Sequence, residues 1–212
     1  MKAFDEIAGQ KVQRIEALSD GVFAIAFTLL VLDIRVPLSS EINSEKDLLV
    51  AFAELSPRLL AYFLSFITLG IFWVAHSSQL FFIEKSDRNF VWINLSFLLF
   101  VTIIPFTTAF LSEYITFKFA VMIYWCNLFL LGLMLFLSLR YLDRYHFLKT
   151  PGTHTIEIKN AMIRRGIIAQ SLYAFGALLC FVSTYLSIAV LLGIQLYFAI
   201  GSFSKLSVSK RK

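Results

Sequence analysis

The chain has 212 residues, of which 58% are hydrophobic and only 16% charged, against about 25% charged in an ordinary soluble domain. A mean hydropathy of +0.77 and a net charge of +5, with the charges bunched between long apolar runs, exclude a disordered tail protein or a nucleic-acid-binding arm and indicate a polytopic membrane protein. The two cysteines, Cys126 and Cys180, sit in apolar stretches without CxxC or Cys/His spacing, so neither a disulfide framework nor a zinc site is indicated.

A helix needs about 20 apolar residues to cross a bilayer. The first such run is 15–36, ended by Arg35 and Pro37 and carrying Glu16, Ser19 and Asp20 near its start. Its mixed-charge leader and Leu-Asp-Ile-Arg-Val-Pro ending do not suit a cleaved signal, so it is expected to be retained. Residues 37–57 are polar and acidic, with Glu41, Glu45, Asp47 and Glu54; the few apolar residues at 48–52 allow at most one short interfacial helix. Further spans are expected at 58–83, 90–111 and 117–142, followed by a polar connection at 143–165. The almost uncharged stretch 166–203 is twice as long as one crossing requires, which predicts two helices, 166–184 and 187–203, turning near Ser183, Thr184 and Ser187. The expected fold is one all-α membrane domain with six transmembrane helices.

Six crossings put both termini on one side, and the Lys/Arg distribution orients them. Fifteen of the 19 basic residues fall on the side of the termini; Arg35, Lys46, Arg58 and Lys118 fall on the other. The termini are therefore expected in the cytoplasm, and the basic tail of Lys210, Arg211 and Lys212 is explained by topology and anionic lipid rather than by nucleic acid.

Ionisable groups inside spans are expensive unless paired, hydrated or near the interface. At 1.5 Å per residue, Asp20 lies about 8 to 9 Å and His76 about 10 Å from the cytoplasmic face, with Asn94 about 6 Å deep on the third span. Trp73 shares a helix face with His76. These residues, with Arg14 and Ser19, can form one polar cluster. Two readings are open: a hydrogen-bonded knot fixing the helices, or a proton or ion relay through Asp20 and His76. His76 has no second His at metal spacing, and His146 and His154 lie in the basic connection as solvated loop residues. No paired carboxylates, Ser/His/Asp set or metal constellation suggests an enzyme, and no cofactor is indicated.

Along the first span, Leu18, Gly21, Ile25, Thr28 and Leu32 recur at helix-seam spacing, and Ala17 and Gly21 would permit close helix approach. Such a stripe most simply means packing. Thr28, a hydroxyl near mid-span between Ile25 and Leu32, gives it a further sense. Several copies placed around an axis would form a narrow pore with apolar constrictions and one hydroxyl layer.

The segment from Arg14 through Leu18-Ser19-Asp20-Gly21 to Ile25, Thr28, Leu32 and Asp33 resembles the R-x-x-x-F-S-D-G motif that opens the first helix of the transmembrane protein 175 family, the lysosomal and prokaryotic potassium channels. Tyr62, Ser65, Phe66, Gly70, Trp73 and His76 in the second span, and Asn94 with Ile104-Pro105-Phe106 in the third, extend the likeness over roughly the first 110 residues. The sequence departs from the pattern at Leu18, where the family usually has Phe, and at Ser77, where a second His is common.

The resemblance implies a prokaryotic, single-unit member that assembles as a homotetramer. First helices would line a central pore without a T-V-G-Y-G filter, a motif absent from this sequence. It puts the constriction on Ile25, the hydroxyl layer on Thr28 and the second apolar layer on Leu32, with Leu18 and Gly21 as further lining residues. It also makes Arg14, Ser19, Asp20, Trp73 and His76 a structural network rather than a relay. The expected function is a passive, potassium-permeable cation channel of the plasma membrane, in contact with lipid. The alternative is a proton channel or proton-coupled transporter using Asp20 and His76.

Overall fold

The computed structural model describes residues 12–38, 42–148 and 153–209, with side chains in the last segment over 157–200. It is almost wholly helical. Helix α1 is Val12–Leu30, prolonged by a 3-10 turn at Val31–Asp33. A short helix, α2 (Glu45–Glu54), precedes α3 (Ser56–Phe81), α4 (Arg88–Glu113), α5 (Lys118–Arg144), α6 (Thr153–Leu178) and α7 (Thr184–Ser209). Helices α1 with its 3-10 turn, α3, α4 and α5 are each long and apolar enough to cross a membrane. In α7 the stretch Thr184–Ile200 is a shorter apolar helix, and α6 begins well inside the expected polar connection, so residues 153–165 are helical rather than loop. The basic tail lies outside the described residues.

Local chemistry sets the helix ends. Asp87 caps α4 by accepting the Phe90 N–H at 2.8 Å, Ser44 caps α2 by accepting the Asp47 N–H at 3.2 Å, and Pro57 occupies the first turn of α3. Pro105 lies inside α4, where it deprives one carbonyl of its donor; helix neighbours and hydroxyls make this tolerable in a membrane helix. Thr107 and Thr108 both donate back to the Ile104 carbonyl beside it, at 3.0 and 2.7 Å.

Helix α5 ends in a paired C-terminal turn. The Phe147 N–H reaches the Leu142 carbonyl at 3.0 Å and the His146 N–H the Asp143 carbonyl at 3.3 Å, with His146 at φ 55°. That left-handed position suits glycine, so His146→Gly is expected to stabilise the fold by about 1 kcal/mol, seen as a raised melting temperature in detergent. The same linker is tied to the α3–α4 loop by the Glu84 N–H on the Phe147 carbonyl at 2.9 Å, and the Tyr141 hydroxyl donates to the Asp87 carboxylate at 2.5 Å.

Helices α4 and α5 form the most extensive antiparallel pair; α1 lies against α3 and α4, while α6 and α7 close the bundle on the side of α5 and α3. The core runs through Phe23, Leu64, Phe97, Val101, Ile104, Tyr124, Leu128, Tyr173 and Leu191. The α6–α7 turn lies at Val182 and Ser183, slightly before the expected position. Ser187 is already inside α7 and donates to the Gly176 carbonyl at 2.7 Å. The helices approach closely there: a Cβ on Gly176 would meet Leu191 Cδ2 at 2.9 Å and displace that side chain.

Between helices in lipid the hydrophobic effect contributes little, because the alternative environment is as apolar as leucine; close packing and interhelical hydrogen bonds hold the bundle. One such set crosses its middle. The Thr108 hydroxyl lies 2.6 Å from that of Ser65, Ser65 donates to the Tyr124 hydroxyl at 3.2 Å, and Thr68 lies 3.1 Å from that hydroxyl. Gln195 donates to Thr68 at 2.5 Å, so four helices are joined. Tyr124→Phe removes the central hydroxyl and leaves buried partners unmatched. A loss of about 1 to 3 kcal/mol is expected, measurable as a lowered melting temperature of the purified protein.

Candidate functional site

Helix α1 has two opposed faces. Ile15, Ser19, Phe23, Ala26 and Leu30 are buried against α3 and α4, Phe23 lying beside both His76 and Phe97 with ring centroids 6.2 and 6.0 Å away. The other face carries Leu18, Gly21, Ile25, Thr28 and Leu32, and the chain's own helices leave it uncovered: Leu18 is 49%, Ile25 61% and Leu32 69% exposed. A Cβ built on Gly21 would meet nothing within 4 Å, so the small-residue spacing of Ala17 and Gly21 serves no close approach among the described residues. The Thr28 hydroxyl donates to the Ile25 carbonyl at 2.8 Å. That bond spends its proton on the backbone and leaves the oxygen lone pairs facing outward.

Behind this face lies the polar cluster. The Ser19 hydroxyl donates to the Ile15 carbonyl at 2.8 Å, and the Asn94 amide donates to Ser19 Oγ at 3.3 Å. Asn94 Oδ1 lies 2.7 Å from His76 Nε2, and the His76 ring stacks on Phe97 at 4.8 Å and 11°. One buried asparagine thus joins α1, α3 and α4. Asp20 does not hydrogen-bond to His76; its carboxylate accepts the Trp73 indole N–H at 2.9 Å, one turn away along α3. The cluster is therefore two separate connections, Ser19–Asn94–His76 inside the bundle and Asp20–Trp73 nearer its surface. Arg14 is exposed, and among the described residues no hydrogen bond or ion pair joins it to either.

At the far end of α1, Ser112 donates to the Asp33 carboxylate at 2.7 Å, and Arg58 pairs with Glu113 at 3.0 Å. The helix is consequently tied at both ends, by Ser19 and Asp20 on one side of the membrane and by Asp33 on the other. The Asp33–Ser112 bond and the Thr108–Ser65–Tyr124–Thr68–Gln195 set are not among the contacts expected from the sequence. A signal for them exists: Ser65 with Thr68, Thr108 with Ser112, and Tyr124 with Asn127 recur at helix-face spacing within otherwise apolar spans.

Comparison with known proteins agrees with this arrangement. A family-wide sequence profile described as endosomal/lysosomal potassium channel TMEM175 matches residues 14–105, which span all but the first two residues of α1, the whole of α3 and the Asn94 segment of α4. A potassium channel of Chamaesiphon minutus is 35% identical over 196 residues, covering 89% of this chain and 94% of that one. The crystal structure of a lysosomal potassium-selective channel TMEM175 homologue from Chamaesiphon minutus superposes with a TM-score of 0.76 at 31% identity, over 90% of this chain and 97% of the other. The chicken endosomal/lysosomal proton channel TMEM175 is 39% identical over 107 residues, 48% of this chain but only 21% of that protein. With nearly its whole length shared in sequence and fold, the chain belongs to the TMEM175 family of ion channels.

Proposed function

We propose that the chain is the subunit of a potassium-permeable cation channel, in which four copies place their α1 helices around a central pore. The observation that carries this reading is the uncovered stripe of Leu18, Gly21, Ile25, Thr28 and Leu32 on a helix whose opposite face and both ends are held by the bundle. Such a helix presents fixed side chains to an axis. The potassium channels among its relatives support the choice of ion.

In this arrangement Ile25 forms the narrowest ring, Thr28 a layer of hydroxyl oxygens and Leu32 a second apolar ring, with Leu18 and Gly21 lining the cytoplasmic approach. An ion passing Ile25 sheds part of its hydration shell without a carbonyl cage to replace it, and the penalty is smaller for potassium than for the more tightly hydrated sodium. Selectivity is correspondingly modest. Conduction is passive and uses no cofactor. The charge bias of the loops supports a plasma-membrane protein with both termini in the cytoplasm. Ser19, Asp20, Trp73, His76 and Asn94 act as a knot that sets the angle of α1. A relay between Asp20 and His76 would need them within reach of one another, and each is engaged by a different partner.

Proton permeation is the second reading, favoured by the proton-channel name carried by the animal relatives. Purified protein in liposomes, given potassium, sodium and proton gradients in turn, separates the two. The expected result is electrogenic potassium uptake without obligatory proton movement; flux that requires a proton gradient and survives potassium removal would establish the proton reading instead.

A further inference from the structure

We propose that each subunit binds an ordered water molecule inside the bundle, between α6 and α7, held by Gln195 Oε1 and the Tyr173 hydroxyl. Both residues are fully enclosed, Gln195 at 0% and Tyr173 at 2% exposure. Among the described residues neither Gln195 Oε1 nor the Tyr173 hydroxyl has a hydrogen-bond partner, and the same is true of Gln170 Oε1. Buried polar atoms in a bilayer-spanning bundle are matched almost without exception, by protein or by ordered water, because each unmatched group costs several kcal/mol there.

Helix register brings the three residues to adjoining levels of the bundle. Helices α6 and α7 run antiparallel, and Gly176 lies against Leu191 and Ile194. Tyr173, one turn before Gly176, is therefore level with Gln195, one turn beyond Leu191, and Gln170 is one turn further along the same face of α6. Tyr173 is also close enough to Tyr124 for the two phenols to interact electrostatically, and Tyr124 belongs to the hydroxyl set that Gln195 joins.

The donors and acceptors determine the ligand. The Gln195 amide nitrogen donates one N–H to Thr68 and that of Gln170 one to the Leu128 carbonyl at 3.3 Å, so the atoms here without a partner among the described residues are two acceptor oxygens and one hydroxyl. A single water donates to both oxygens and accepts from Tyr173, making the roughly three bonds usual for a buried water. A bare cation is disfavoured, since these groups offer few oxygens and no countercharge in a low-dielectric interior. With the water in place, a continuous hydrogen-bonded file runs from Thr108 through Ser65, Tyr124, Thr68 and Gln195 to Tyr173. It crosses the bundle sideways. On α3, buried Leu69 and Phe72 separate it from the His76 cluster, so it forms no path through the membrane and is distinct from the α1 face.

The test is an X-ray structure of the full chain in lipid at a resolution that orders water, from crystals grown in potassium and soaked with thallium. The expected result is a density peak about 2.7 to 3.2 Å from both Gln195 Oε1 and the Tyr173 hydroxyl, without a thallium anomalous signal, and its loss in Tyr173→Phe. No peak, a direct Tyr173–Gln195 bond, a thallium signal, or a peak that persists unchanged in Tyr173→Phe overturns the proposal. If Tyr173→Phe does not fold, the unsubstituted protein's density decides alone.

Discussion

Replacing Ile25 by Asn or Ala is expected to raise sodium conductance and lower the potassium-over-sodium ratio in planar-bilayer recordings of the reconstituted protein. In the proposed pore Asn wets the Ile25 ring and Ala widens it, and either change removes the step at which a partly dehydrated ion would be sorted. Each tenfold of ionic discrimination corresponds to about 1.4 kcal/mol, an amount one apolar ring can supply. The substitution is well suited to the question because Ile25 is 61% exposed in the chain and packs into no intrachain core. A change in selectivity therefore reports on the pore rather than on a damaged subunit. Unchanged selectivity in folded Ile25→Asn and Ile25→Ala would move the filter away from this position. Thr28→Val is informative beside them, since it removes the outward lone pairs while keeping the shape.

Asn94→Leu is expected to cost about 1 to 3 kcal/mol of subunit stability and to reduce potassium flux. The stability loss arises because His76 loses its partner inside a buried cluster, where an unmatched donor or acceptor bears its full desolvation penalty. For a chain of this size each kcal/mol lowers the melting temperature by roughly 2 to 4 °C. The flux loss has a separate cause. Asn94 is the direct link between Ser19 on α1 and His76 on α3, so its removal frees the N-terminal half of α1 to rotate its exposed stripe. Arg14→Gln is the contrasting substitution: an exposed side chain outside the cluster is expected to shift stability by no more than about 0.5 kcal/mol. Equal damage from Arg14→Gln and Asn94→Leu would mean that Arg14 takes part in the knot through a contact beyond the single chain.

The contrast between Asn94 and Asp20 shows how far a sequence reaches. Depth follows from chain position, which brings Asp20, Ser19, Trp73, His76 and Asn94 to one level of the membrane. Pairing does not follow from it. The axial register of α3 against α1 decides whether Asp20 meets His76 or Trp73, one turn apart on the same face, and nothing in an apolar sequence records that register. The same holds for Tyr124 and Gln195, which are 71 positions apart and meet through Thr68 only because α7 folds back against α3. It holds as well for the start of α6, where charged residues at 157–165 read as a loop but continue the helix beyond its apolar half.

By itself the sequence determined the membrane class, the positions of the apolar spans, the direction of the charge bias and the family motif around Ser19 and Asp20. These are local quantities: the bilayer assesses each residue by its own transfer free energy, so a run of apolar residues declares itself without reference to any other. Tertiary structure alone decided which side of α1 is buried, which hydroxyls form the file through Tyr124, and that Leu18, Gly21, Ile25, Thr28 and Leu32 remain uncovered. Lipid and protein interior are equally apolar, so a membrane helix carries little amphipathic signal to say which face turns inward. Only close packing and the matching of buried donors with acceptors make that choice, and both are properties of several helices together.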